Sequence, residues 1–227
     1  MYYFTIYPSP IGDLTLASEG DNLVGLWMDG QKYHGDTIPE TITENNEIPI
    51  FDTAKKWLNR YFAGENPNIW ELPLAPIGSE FRQGVWEILC EIPYGEVITY
   101  GDIAKKMAVK MNKKSMSSQA VGGAVGHNPI SIIIPCHRVV GSNGSLTGYS
   151  GGVRRKVKLL ELEGADSIRA AKPCPYRADG RKGTALKAAG VIPEYKDRMD
   201  RSGFFQMGFG KVGKRTIYFH KRSDSPA

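Results

Sequence analysis

Apolar positions in residues 2–28, YYFTIYPSPIGDLTLASEGDNLVGLWM, fall in short β-rich runs broken by turn residues at Ser9-Pro10, Gly12-Asp13 and Gly20-Asp21-Asn22. That pattern predicts a meander of three antiparallel strands. The period then lengthens. In IFDTAKKWLNRYFAG, Phe51, Ala54, Trp57, Leu58, Tyr61 and Phe62 recur at helical spacing up to Gly64, which predicts a helix covering the sheet. The next stretch, ENPNIWELPLAPIG, has three prolines and no periodicity and reads as a linker to a second domain.

From Ser79 onward the pattern is helical. SEFRQGVWEILCEIP offers Ser79 as an N-cap, gathers Phe81, Val85, Ile88, Leu89 and Ile92 on one side, and ends before Pro93. Cys90 sits among these apolar residues and reads as an inert packing residue. After the turn PYGE, Thr99 stands three residues before Asp102, a capping-box spacing that opens a short helix in TYGDIAKKM. A basic turn, KMNKKS, leads to a second short helix, SSQAVGGAVG, so the segment has a helix-turn-helix outline. Ala120, Gly122, Gly123, Ala124 and Gly126 weaken that second helix, since each Gly costs about 1 kcal/mol relative to Ala. Such residues permit close approach, either by a neighbouring helix or by a nucleic-acid groove. SIII predicts a short buried strand ending at Pro135, and GYSGGVRRKVKLLELEG a last helix over about 152–162, stopped by Gly164.

Charge adds a polarity to this layout. Residues 1–78 carry net −7, residues 79–164 net +4 and residues 165–227 net +8, within an overall +5. An acidic front with a basic middle and tail suits a polyanion-binding face, and equally suits a solvated surface that is merely polarised. Three cysteines without paired spacing indicate neither a disulfide framework nor a zinc site, and point to a reducing, cytoplasmic setting. No run approaches a membrane span, and the N-terminus does not read as a signal peptide. His34, His127 and His220 have no ligand partners by spacing.

Candidate chemistry concentrates in PISIIIPCHRVVG. Pro135 cannot continue a central strand, so Cys136 sits where a strand ends and can face a cleft. On an extended chain, however, Cys136 and His137 point to opposite sides, and a bend is needed to bring them together. A cysteine of ordinary pKa is about 3% thiolate at neutral pH, so full ionisation gains roughly 30-fold, about 2 kcal/mol. Holding the electrophile near the sulfur is worth about 7–11 kcal/mol. A pocket therefore matters more than the Cys-His pair.

IPCHRVVGSNGSLTGYSGG, together with PYGEVITYGDIA and AVGGAVGHNP, resembles the O6-alkylguanine-DNA alkyltransferases over roughly residues 1–165; the N-terminal match, SPIGDLTL and LVGLW, is weaker. The resemblance implies an α+β chain: a small N-terminal antiparallel sheet with a helix (ribonuclease H-like), then a mostly helical C-terminal domain with a winged-helix-like helix-turn-helix. Its divisions would be 1–78, 79–165 and a basic extension 166–227 of unknown role. It also implies a single-use repair protein that moves an alkyl group from O6-alkylguanine, and O4-alkylthymine, in double-stranded DNA to its own cysteine. It would act as a monomer, with no cofactor and no metal.

Carried over by position, Cys136 is the acceptor and His137 deprotonates it through a water, oriented by Glu163. Asn128 braces the turn, and Arg138 is structural. Tyr100 crowds the target phosphate and hydrogen-bonds the base, Ser142, Tyr149 and Ser150 wall the pocket, and Lys156 assists protonation. Gln119, Ala120 and Gly123 lie on the helix that enters the minor groove while the base is flipped out. Gln119 stands where the family commonly has an arginine. The residues alone leave two rivals, a non-enzymatic helix-turn-helix DNA-binding protein with a structural cysteine and a Cys-His hydrolase.

The tail from 166 has no specific motif. It suggests a short helix, a hairpin near GKRTIYFH and either a disordered basic tail or an auxiliary DNA-binding element, with Cys174 an exposed thiol of no special role.

Overall fold

The computed structural model describes residues 1–39, 41–146, 148–165 and 216–218. The three expected strands form as β1 (Tyr2–Ser9), β2 (Gly12–Glu19) and β3 (Asn22–Met28), paired antiparallel. A fourth strand, β4 (Thr41–Glu44), runs parallel to β1 and was not foreseen. Helix α1 (Pro49–Phe62) buries Phe51, Ala54, Trp57, Leu58 and Tyr61 of the predicted stripe, leaves Phe62 half-buried, and packs against β1, β2 and β3. Pro49 opens this helix, where its missing N–H costs nothing.

The proline-rich stretch is more than a spacer. It contains a 3-10 turn at Ile69–Glu71 capped by Asn68, and it is pinned to β3 by Leu23 N–H to Pro73 O (2.9 Å) and Ala75 N–H to Leu23 O (2.9 Å). Farther along the same strand, Leu26 N–H donates to Pro129 O (2.8 Å) and Leu26 O accepts from Ser131 N–H (2.9 Å). The edge of β3 therefore carries both the connection between the two halves and the segment that leads to Cys136. Covering that edge also removes a template for intermolecular pairing.

In the second half, α2 (Glu80–Cys90) is capped by Ser79, α3 (Tyr100–Lys110) by Thr99, and α4 (Ser118–Gly126) by Ser117. The three helices pack on one another, and Trp86 Nε1–H of α2 donates to Ala124 O of α4 (2.9 Å). Asn112 ends α3 with φ +51°, a left-handed position that asparagine tolerates, and the chain turns into α4. A two-stranded parallel pair, β5 (Ile98–Thr99) with β6 (Val139–Val140), and helix α5 (Val153–Leu162), stopped at Gly164 with φ +67°, complete this half. One apolar cluster runs through both halves, from Leu14, Leu26 and Phe51 to Trp86, Ile130 and Cys136.

One expectation is corrected. SIII is not a strand: Ile130 makes a single bridge to Leu26, after which residues 131–134 turn, and Cys136–Arg138 form a 3-10 helix. The tail contributes strand β7 (Thr216–Tyr218), whose partner is β4 in antiparallel register, with Thr41 opposite Tyr218. The other expectations for the tail, Cys174 and His220 included, lie outside the described residues. Among the described residues, no helix is long and apolar enough to cross a membrane.

Candidate active site

Asn128, just beyond α4, explains why an isoleucine-rich run bends instead of extending. Its Nδ2–H donates to Ile134 O (2.8 Å) and Ile130 O (3.4 Å), and its Oδ1 accepts from Ile130 N–H (3.1 Å). A side chain that satisfies the backbone in this way competes directly with a strand ladder. The turn is tight enough to hold Ile132 at φ +71°, a costly conformation for a β-branched residue. Pro135 then leads into the 3-10 helix, where successive side chains diverge by about 120° instead of 180°. The chain therefore bends at the adjacent Cys-His pair instead of extending through it.

Asn128 Nδ2 also lies 3.1 Å from Cys136 Sγ, and Cys136 is only 2% exposed. Burial pushes its thiol pKa up, opposed by the Asn128 hydrogen bond and the Lys156 charge. The sulfur therefore rests protonated, with stabilising groups already in place for its anion.

His137 is fully buried, with Nε2 2.7 Å from Glu163 Oε1. Burial lowers the histidine pKa despite the carboxylate, so the ring rests neutral. Burial alone would raise Glu163, but hydrogen bonds from His137 and Arg138, with the Arg138 charge, hold the carboxyl well below the usual range. An ionised carboxylate only accepts, so Nε2 carries the imidazole proton and Nδ1 is the basic atom. Nδ1 is buried and has no hydrogen-bond partner among the described residues.

The carboxylate is held from several directions. Arg138 donates through Nε to Oε2 (2.8 Å) and through a terminal nitrogen to Oε1 (3.0 Å), Gly95 N–H donates to Oε2 (3.2 Å), and Tyr61 Oη–H donates to Oε1 (2.7 Å). Arg138 also donates to Ile92 O (2.6 Å), the structural part expected of it. Tyr61 was legible only as a core position of α1, because its spacing signals burial and nothing in the sequence signals its hydroxyl.

Other expected residues gather nearby. Lys156 is fully buried, its Nζ donating to Val139 O (2.5 Å), and burial lowers its pKa to about 8 despite the nearby Cys136. Tyr100 donates to Gly148 O (3.4 Å), and burial, reinforced by Cys136, pushes its pKa up to about 12. Tyr149 is buried against Met28, and Ser150 O accepts from Lys32 N–H (3.1 Å). Arg155, which sequence reading passed over, donates to Ile11 O (3.0 Å), Asp29 O (2.8 Å) and Gly151 O (3.3 Å), tying this loop to the N-terminal sheet.

Gln119, Ala120 and Gly123 form an exposed face of α4, while Val121, Ala124 and Val125 face inward. A Cβ on Gly123 would meet nothing within 4 Å, and one on Gly122 would lie 3.9 Å from the Tyr100 ring. Intramolecular packing therefore does not demand these glycines, which removes the neighbouring helix as their explanation. Ser142 is exposed on the loop after β6. Cys90 lines a separate cavity of about 320 Å³ with Trp57, Tyr61, Tyr94 and Arg138, and burial lifts its pKa to about 11, so it is unreactive near neutrality. Among the described residues, no three His, Cys, Asp or Glu side chains cluster to hold a metal.

Fold and site define a two-part α+β protein built around a buried thiol backed by a histidine–carboxylate pair. Residues 1–76 match the ribonuclease-like domain model of 6-O-methylguanine DNA methyltransferase, and residues 80–165 match the DNA binding domain model of the same family. The chain belongs to that family. Over 164 residues it is 46% identical to a methylated-DNA–protein-cysteine methyltransferase of Methanosarcina acetivorans, covering 72% of this chain and 99% of that one. Over 161 residues it is 42% identical to the Haemophilus influenzae protein of that name, covering 71% and 86%. A crystal structure of Mycobacterium tuberculosis OGT in complex with DNA is similar at a TM-score of 0.62 and 43% identity, covering 74% of this chain and 95% of that one.

Proposed function

We propose that this chain repairs DNA by taking the alkyl group of O6-alkylguanine, and of O4-alkylthymine, onto Cys136, once per molecule. The observation that carries this reading is the sealed cluster itself: a thiol 3.1 Å from Asn128, next in sequence to a neutral histidine whose tautomer is fixed by Glu163 at 2.7 Å.

In the proposed step, Cys136 Sγ attacks the alkyl carbon, forming the S–C bond as the C–O6 bond breaks. The thiol proton passes through a water to His137 Nδ1. The electron pair of the broken bond stays on guanine, which takes up a proton. Lys156, with its pKa lowered to about 8, is the better proton source, whereas Tyr100 near 12 is suited to donating a hydrogen bond. The thioether has no exit, so the protein is consumed.

A thiol this buried cannot reach a base inside a duplex, which is why the reading includes extrusion of the target nucleotide. Gln119, Ala120 and Gly123 on the exposed face of α4 would enter the minor groove, Gln119 filling the gap, with Tyr149, Ser150 and Ser142 around the extruded base. The working divisions remain 1–78, 79–165 and 166–227, acting as a monomer. The described cysteines, Cys90 and Cys136, are free thiols, in keeping with a reducing cytoplasm. The test is stoichiometry: with excess O6-methylguanine duplex, repair should stop at one equivalent, and continued turnover would argue for a hydrolase instead.

A further inference from the structure

We infer that Tyr61, on helix α1 of the N-terminal half, is a positioning residue for alkyl transfer that sets the orientation and basicity of His137 through the Glu163 carboxylate. This rests on the function proposed above and extends its machinery into the half that carries neither the thiol nor the base.

Tyr61 is 1% exposed, and its ring is locked by stacking on Trp57 (centroids 5.5 Å apart) and by edge contacts with Phe62 (5.3 Å) and Tyr94 (6.2 Å). A phenylalanine would fill that slot equally well. The hydroxyl adds something that packing does not require: it donates to Glu163 Oε1 at 2.7 Å and lies 3.5 Å from His137 Nε2.

Oε1 thus receives Tyr61, His137 and one nitrogen of Arg138, while Oε2 receives the other Arg138 nitrogen and Gly95 N–H. Every donor draws on the same negative charge, so less remains to stabilise a proton on the imidazole. Tyr61 accordingly keeps His137 a weak base at rest and fixes the plane of the carboxylate that selects the Nε2–H tautomer. The ionisable groups around the pair are Tyr61 from α1, Tyr94 after α2, Cys136 and Arg138 from the 3-10 helix, Tyr149 from the loop before α5, and Lys156 and Glu163 from α5 and its end. Of these, Tyr61 can lose its donor with no change of net charge and no loss of ring volume.

The sign follows directly. Without the hydroxyl, Oε1 is freer to hold the imidazolium, His137 keeps its second proton to higher pH, and Nδ1 is available for a smaller fraction of molecules in acid. The experiment is the single-turnover rate of methyl transfer from an O6-methylguanine duplex, measured against pH for the wild type and Tyr61→Phe.

The acid limb should move up by about half a pH unit, costing the variant roughly 3-fold on that limb relative to its own plateau. DNA affinity should be unchanged. A profile that superimposes on the wild type after scaling, whatever the uniform loss of rate, overturns the inference and leaves a structural role only. An inactive wild type would sink the function reading and this inference together; an active wild type with an unmoved profile sinks the inference alone. Should Tyr61→Phe not fold, proton NMR of the wild type decides. A Tyr61 hydroxyl resonance protected from exchange and cross-relaxing with the His137 ring supports the contact, and a freely exchanging one overturns it.

Discussion

Asn128 Nδ2 sits 3.1 Å from the sulfur of Cys136 while bonding the carbonyls of Ile130 and Ile134, so one amide both bends the chain and contacts the nucleophile. Fold and chemistry are therefore coupled at this residue. Asn128→Ala should strand at least one buried backbone group and cost about 2–4 kcal/mol of stability. Transfer should fall further than that loss explains, because the contact to the sulfur goes as well. Chemical denaturation alongside single-turnover kinetics checks this; a variant of reduced stability but full rate would contradict it.

Lys156 offers a pH test with a definite sign. Its folded pKa is lowered to about 8 from an ordinary value of 10.5, so between those values the unfolded chain binds more protons than the folded one. Stability contributed through this group must therefore rise with pH across that window and be at its lowest below it. Relative to Lys156→Met, the wild type should gain roughly 3 kcal/mol between pH 8 and 10.5. Unfolding midpoints of both proteins at several pH values in that window check the slope; parallel curves would contradict it.

Arg155 reaches three carbonyls, those of Ile11, Asp29 and Gly151, and so holds the loop bearing Tyr149 and Ser150 against the sheet. Arg155→Ala should cost about 2 kcal/mol and loosen that loop. The expected signature is a transfer rate reduced several-fold with DNA affinity held within about 2-fold, read from single-turnover kinetics and fluorescence anisotropy on one duplex.

Gln119 lies on the exposed face of α4 and lacks a charge that could help hold an opened duplex. Gln119→Arg should speed repair in duplex DNA several-fold more than in single strands, since only the duplex pays for unstacking. Equal effects on both substrates would count against a role in base extrusion.

Elements with local signals were legible in the sequence: three strands bounded by turn residues, α2 and α3 with Ser79 and Thr99 as caps, and α4 as a short helix after a basic turn. Strand β4 was not, because TITE offers only Ile42 as a buried apolar residue and its partners, β1 and β7, are distant in sequence. SIII misled for the opposite reason. Its β-branched run matches a strand locally, yet Asn128 supplies competing hydrogen bonds from outside it. At the site, Cys136 and His137 were visible as residues, while Glu163 and Lys156 entered through resemblance. Tyr61 and Arg155 were hidden because a hydroxyl on a core stripe and an arginine in a basic helix give no sign of what they will touch.

The most direct measurement is the intact mass of the protein after incubation with O6-methylguanine duplex, with peptide mapping of the product. The account predicts one added increment of about 14 Da per chain, located on Cys136, and none on Cys136→Ala, which should still bind the DNA. An unchanged mass on the wild type, or the increment on another residue, would contradict it.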